Sequence, residues 1–311
     1  MDFLNLLSRM PAATAQGLLW GLMALGVYVS YKILDVADLS VDGTFALGGA
    51  VTVMAILGGV PAWAALLLAV AAGALAGLCT GLLHTRLGIP AILSGILTQF
   101  ALYSINLRVM GMKANQTASL KNFGMFYENG RGFLVSSRHV SSAIYMGLAV
   151  AALVVVLLYW YFGTEQGSAL RATGANPRMS SAQGINISAM KVLGLALSNG
   201  LVALSGGLMT QFQGTADVNM GRGAIVIGLA AIVIGEVVCD SIFGENCNFA
   251  LRLSCVVLGG VLYYMVMTVI LWLRLDPNDL KLFTALIVAG FLSVPQWKAR
   301  RSRTLHRGGG K

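Results

Sequence analysis

Residues 43–83 read GTFALGGAVTVMAILGGVPAWAALLLAVAAGALAGLCTGLL, forty-one consecutive positions without Asp, Glu, Lys, Arg or His between Asp42 and His84. A bilayer core about 30 Å thick takes about 20 apolar residues of α-helix, so the run is long enough for two crossings. Gly58-Gly59-Val60-Pro61 divides it, because proline lacks the amide that would continue a helix and adjacent glycines favour a turn. The stretch predicts two membrane-spanning helices joined by a tight connection, and with them an integral membrane protein.

The same pattern recurs on both sides. A first span is predicted over residues 18–34, which lack the basic start and small-residue cleavage site of a secretory signal and are therefore expected to be retained. A fourth lies between Arg86 and Arg108, and a fifth covers 141–162, ending in the interface-favouring cluster Tyr159-Trp160-Tyr161-Phe162. Further spans are predicted from Lys191 to Phe212 and over residues 223–238, 253–273 and 282–297. The expected fold is an all-α integral membrane protein: a polytopic bundle of about nine transmembrane helices, within a range of about eight to ten, with interrupted helices and a cytoplasmic loop over residues 163–191. One transmembrane domain would occupy residues 1–297, followed by a basic tail over 298–311.

Composition agrees. The 311 residues are 57% hydrophobic and 11% charged, where a soluble domain carries roughly a quarter charged residues. The tail holds Lys298, Arg300, Arg301, Arg303, Arg307 and Lys311 without an acid, which marks a cytoplasmic end resting on anionic membrane lipid rather than on nucleic acid. On that assignment residues 163–191 are cytoplasmic, and residues 111–139 and the N-terminus lie outside. Positive charge does not settle the orientation by itself, since Lys113, Lys121, Arg131 and Arg138 fall in the loop placed outside and Arg108 lies at its edge.

Cys79, Cys239, Cys247 and Cys255 show no CxxC pairing, and the histidines are only His84, His139 and His306, so free thiols and no metal site are expected. No Gly-x-x-x-x-Gly-Lys-Ser/Thr loop, HExxH or Ser-His-Asp arrangement occurs, and neither catalysis nor a bound nucleotide is expected within the chain. Ala65, Ala69, Gly73, Gly77 and Gly81 recur every four residues on one helix face, a stripe suited to seating a neighbouring helix at close range.

Two segments interrupt the apolar pattern. Asp35-Val36-Ala37-Asp38-Leu39-Ser40-Val41-Asp42-Gly43 leads into Thr44-Phe45-Ala46-Leu47-Gly48, and Asp217-Val218-Asn219-Met220-Gly221-Arg222-Gly223 leads into Ala224-Ile225-Val226-Ile227-Gly228. Each sets an acid ahead of a Gly-x-x-x-x-Gly helix start. Matching interruptions of this kind can meet within a membrane and shape a translocation path; the acids can equally serve as helix caps. Polar groups inside the spans are Gln99, Asn106, Asn199, Gln211 and Glu236, and such groups at membrane depth face protein or water. Asp38, Ser40, Asp42, Gln99, Asn106, Asn199, Asp217 and Asn219 are the candidates for lining a pathway, with interhelical hydrogen bonding the alternative for the amides.

The polar loop carries its own helix signals. Leu170-Arg171-Ala172-Thr173 reads as a helix end stopped by Gly174, and Asn176-Pro177 starts a second short helix with proline in its first turn. Two such helices form a lever against a soluble partner or an ordinary connector.

Arg171-Ala172-Thr173-Gly174-Ala175-Asn176-Pro177 followed by Gly184-Ile185 resembles the cytoplasmic loop of the permease family of ATP-binding-cassette importers for branched-chain amino acids and ribose. Within that family, the runs 37–43, 216–221 and 225–230, with Asp279-Leu280-Lys281-Leu282, are similar to those of tryptophan/tyrosine importer permeases, and the resemblance extends over residues 17–296. The chain departs from the ribose branch in lacking an extra leading span and in carrying Asp42 ahead of Gly43, which disfavours a sugar substrate.

The resemblance implies a plasma-membrane permease working by alternating access: two copies enclosing the path, a solute-binding lipoprotein outside, and ATPase subunits that bind ATP and Mg docked on the loop. Leu170, Arg171, Ala172, Gly174, Asn176, Pro177, Arg178 and Gly184 would make the coupling surface, and an aromatic amino acid is the implied solute. An ion-coupled secondary transporter, or an importer permease for a sugar or nucleoside, is the alternative.

Overall fold

The computed structural model describes residues 3–125, 132–244 and 247–272, together with Leu282, Leu286, Ala289 and Gly290. The expected ninth span and the basic tail therefore lie outside the described residues, these four positions aside, and so does Arg131.

Among the described residues, seven helices are long and apolar enough to cross a membrane. They are α1 (Phe3–Tyr28), α3 (Ala62–Thr85), α4 (Ala91–Val109), α6 (Val140–Gly163), α9 (Ile187–Gln213), α10 (Ala224–Phe243) and α11 (Phe249–Trp272). An eighth apolar helix, α2 (Val41–Leu57), has 17 residues. Short elements complete the order: strand β1 (Asn115–Thr117), helices α5 (Leu120–Phe123), α7 (Glu165–Ala175) and α8 (Pro177–Ala182), and strand β2 (Thr215–Asp217). The forty-one-residue run divides where its sequence predicts, at residues 58–61. The first helix starts well before residue 18 and passes through Pro11, because Pro11 lies on the exposed side while Leu6, Ala13 and Ala15 continue a buried one.

α9 is the central post. Gly73, Gly77 and Gly81 of α3 lie against it so closely that a Cβ on Gly81 would stand 2.8 Å from Val192 Cα, and one on Gly77 would overlap the Leu195 carbonyl. Ala69 and Ala65, one and two turns before Gly73 on the same stripe, are fully buried. Lipid supplies no hydrophobic drive between helices, so such backbone approach, with its dispersion contacts, is what holds α3 to α9. Two hydroxyls of α9 add bonds to α1: Ser198 Oγ donates to the Gly26 carbonyl and Ser205 Oγ to the Leu19 carbonyl, each at 2.7 Å. α11 reaches the opposite side of α1, with Gly260 against Gly17 and Gly21.

The bundle has two distinct ends. At one, β1 pairs antiparallel with β2, Asn115 opposite Asp217 and Thr117 opposite Thr215. These three-residue strands form through tertiary pairing within polar loops, which local sequence gives no reason to expect. At the other end lie α7, α8 and the turn between α3 and α4, where Lys191 Nζ stands 3.3 Å from His84 Nε2. That end also carries the salt bridge from Lys32 to Glu236, at 2.8 Å. The expectation of four free thiols is corrected for one pair: Cys239, in the last turns of α10, and Cys247, just ahead of α11, are brought together in a disulfide, while Cys79 and Cys255 are free.

Candidate functional site

α1 ends in a π-helical turn, Val29–Ile33. Asp35 then takes the left-handed conformation, with φ of 54°, and residues 34–40 turn back into the bundle before α2 begins. This reversal buries Asp38 to 2% exposure. Its Oδ1 accepts from the Ser40 amide at 2.9 Å and from Ser40 Oγ at 2.6 Å, and its Oδ2 accepts from Asn199 Nδ2 at 2.6 Å. Asn199 is fully buried in α9 and also donates to the Leu195 carbonyl at 3.1 Å. A buried carboxylate persists only when its oxygens are hydrogen-bonded; both Asp38 oxygens are used.

Asp42, in the first turn of α2, bonds across the molecule. Oδ2 accepts from the Gly223 amide at 2.9 Å and Oδ1 from the Ile225 amide at 3.1 Å. An acid at a helix N-terminus satisfies orphan amides and meets the positive end of the helix dipole, and here the helix is α10, not Asp42's own. Gly221 permits the contact, since a side chain there would overlap the Asp42 carbonyl. The two interruptions therefore meet.

Their seam opens into a cavity of about 420 Å³ bounded by the start of α2, by α4 and by residues 218–222. Asp42, Gln99, Asn106 and Asn219 line it, four of the eight pathway candidates. Asn106 is 1% exposed; its Nδ2 donates to the Gly43 carbonyl at 3.2 Å, and its Oδ1 has no hydrogen-bond partner among the described residues. Asp38, Ser40 and Asn199 form the separate closed cluster. Asp217 does neither: its Oδ1 accepts from the Asn219 amide at 2.7 Å in a turn after β2. Sequence reasoning did not single out Phe100, Tyr103 and Arg222, which also line the cavity. The spacing of Gln99, Tyr103 and Asn106 on one helical face was the available signal.

At the other end, α7 and α8 form a capped hairpin. Thr164 Oγ1 accepts from the Gly167 amide at 3.3 Å, Asn176 Oδ1 from the Met179 amide at 3.1 Å, and Asn186 Oδ1 from the Ala189 amide at 3.1 Å. α7 runs through Gly174 to Ala175, so glycine does not stop it; Pro177 does, by forcing Asn176 into an extended conformation. Gly174 serves instead for closeness, because a Cβ there would overlap the Ile33 carbonyl at the end of the π-helical turn. Leu170 is fully buried and Ala172 partly so. The Arg171 guanidinium donates to the Phe162 carbonyl and lies 5.6 Å and 5.0 Å from the Phe162 and Phe249 ring centres, tying α7 to α6 and α11. Asn176, Pro177, Arg178 and Met179 are exposed, and Gly184, with φ of 82°, turns the chain into α9.

Residues 10–292 match the family described as branched-chain amino acid transport system, permease component. The chain belongs to that family. The permease is 38% identical over 288 residues to a tyrosine transport system permease protein of Clostridioides difficile (strain R20291), covering 93% of this chain and 92% of the relative. It is 31% identical over 287 residues to an uncharacterised protein of Rickettsia prowazekii (strain Madrid E), covering 92% and 96%. No solved structure matches. Membership makes the permease a multi-pass plasma-membrane subunit of an ATP-binding-cassette importer, a class that works with an ATPase and a solute-binding protein.

Proposed function

We propose that the permease forms the path for an aromatic amino acid as one half of a homodimer, with separate ATPase subunits carrying ATP and Mg on the α7–α8 face and a binding lipoprotein on the β1–β2 end. The observation that carries the coupling is the contact of Gly174 with Ile33. From Ile33 the chain passes through the strained Asp35 to Asp38 and on to Asp42, so a push on α7 reaches both carboxylates along one short segment. Coupling of this kind is a free-energy difference between two packings. Arg171 holds the lever to the bundle, and Asn176, Pro177 and Arg178 offer the surface for the ATPase.

The homodimer draws support from the cavity's open side. Asp42, Asn219 and Arg222 line it beside Phe100, which is 72% exposed. Polar and charged groups at membrane depth are costly against lipid, and a second copy together with a water-filled path would cover them. The solute comes from likeness to the tyrosine permease.

The test is uptake of labelled tyrosine into proteoliposomes holding the permease, its ATPase and its binding protein. Gly174→Leu should cut ATP-driven uptake more than about tenfold while the complex still assembles, and Arg178→Glu should weaken assembly itself. Uptake driven by an ion gradient without any ATPase would replace the importer by a secondary transporter.

A further inference from the structure

Three features of the cavity at the α2–α4 seam point to a ligand rather than to packing. Arg222 is exposed at its wall and makes no salt bridge among the described residues. Asp42 shares the wall without forming an ion pair to that guanidinium among the described residues; its oxygens accept backbone amides of α10 instead. Asn106, almost wholly buried, keeps an oxygen acceptor without a donor among the described residues. A buried acceptor left unmade costs stability, and a ligand donor that meets it on rotation of the amide toward the cavity would satisfy it. Beside these groups Phe100 and Tyr103 expose their rings from α4. At about 420 Å³ the space falls within the range of small-molecule sites, about 300–1,000 Å³.

We infer that this cavity is a recognition site within the permease for a zwitterionic aromatic amino acid, with Arg222 on its carboxylate, Asp42 and the Asn106 oxygen on its ammonium group, and Phe100 and Tyr103 on its ring. The chemistry is complementary at each point. A guanidinium presents parallel donors that match a carboxylate. An ionised carboxylate has about four lone-pair sites, so Asp42 retains acceptor capacity beyond the two amides it holds. Exposed aromatic faces favour an aromatic guest through offset or edge contacts. A sugar would leave the guanidinium unpaired, and a branched-chain amino acid would leave the rings without aromatic partners. The permease would thus exercise selection of its own. The inference rests on the importer reading above.

The experiment is equilibrium binding of radiolabelled L-tyrosine to the purified permease–ATPase complex without its binding protein, with ATP-driven uptake measured on the same preparation. Two competitors separate the contacts: 3-(4-hydroxyphenyl)propionate keeps the carboxylate and lacks the amine, and tyramine does the reverse. In the wild type the propionate should compete better. Arg222→Met should weaken tyrosine binding about ten- to hundredfold, the size of a lost charge-assisted pair, and abolish the preference between competitors; Arg222→Lys should restore part of both. Phe100→Ala should weaken tyrosine more than alanine. Tyrosine binding within about twofold of wild type in Arg222→Met, tyramine competing as well as the propionate, or no saturable binding in a complex that imports tyrosine would each overturn the site. A complex that hydrolyses ATP yet imports no amino acid would count against the importer reading instead.

Discussion

Asp38 and Asp42 stand four positions apart in one interrupted segment, and the structure gives them opposite surroundings. Asp38 is closed in, with side-chain donors from Ser40 and Asn199 on both oxygens. Asp42 is half-buried, holds backbone amides of another helix and faces a cavity. The first ties the reversal to α9, and the second ties α2 to α10. Two acids in one motif thus divide the work: one fixes the segment within the bundle, the other joins helices beside the space a solute would cross. Burial and the identity of the donors separate them, since the residue type is the same.

The sharpest way to break this comparison is Asp38→Leu, which keeps the branched outline of the side chain, adds bulk and removes the acceptor. Ser40 Oγ can turn to Asn199 Oδ1, 3.2 Å away, and Asn199 Nδ2 keeps the Leu195 carbonyl, but the Ser40 amide is left buried and unpaired. The expected loss is about 3 kcal/mol, read as a fall of roughly 6–12 °C in apparent Tm in detergent at about 2–4 °C per kcal/mol. An unchanged Tm would show that Asp38 is no lock. Asp42→Asn should cost less, about 1–2 kcal/mol, because the amide oxygen still accepts one backbone N–H while its NH₂ faces the other. Its larger effect should be on uptake, which should fall severalfold at a Tm only a few degrees lower. Equal Tm losses in the two variants would erase the distinction.

Much of this was legible in the sequence because hydropathy and breaker residues act locally. The run 43–83, the turn at Pro61 and the capped loop at Asn176-Pro177 each follow from rules that operate within a few residues. The sequence also marked both interruptions. It could not say that Asp42 caps α10 rather than α2, because that pairing spans 181 positions. Nor could it tell that Gly174 is needed for closeness to Ile33 rather than for a helix stop, since helical glycine and capping glycine look alike until the neighbour is in place. Arg171 is similar: a basic residue in a polar loop reads as a free surface charge, and only the position of Phe162 and Phe249 shows what this exposed side chain holds together. The Asp42 and Gly174 contacts escaped because they are long-range, whereas the Arg171–Phe162 contact and the Cys239–Cys247 disulfide span only nine and eight positions and escaped because they depend on how one helix follows another.

Ser40→Ala sharpens the comparison at smaller scale. It removes the 2.6 Å hydroxyl contact to Asp38 and leaves the backbone amide in place. One hydrogen bond to a charged group is worth about 1.5–3 kcal/mol, and the remaining two donors soften its loss. The expected cost is about 1 kcal/mol, a Tm shift of roughly 2–4 °C. A loss as large as that of Asp38→Leu would mean that the serine hydroxyl, and not the carboxylate, organises the cluster.

The smallest effect should come from an acid whose partner is a partly exposed base rather than a set of buried or backbone donors. Glu236 pairs with Lys32 at 2.8 Å, but the two side chains keep 31% and 46% of their surface accessible. Water and salt screen such a pair, and ordering two long side chains offsets most of the attraction, so exposed pairs contribute about 0–1 kcal/mol. Glu236→Gln retains a hydrogen-bonding oxygen and should move the apparent Tm by no more than about 2 °C, with the difference vanishing as salt is raised. If burial and donor identity separate Asp38 from Asp42, then Glu236, held by one partly exposed cationic side chain, must be the least consequential of the three. A Tm loss matching that of Asp42→Asn and persisting in high salt would show that charge at the α7–α8 end matters independently of burial, and the ranking of these acids would have to be rebuilt around position along the bundle.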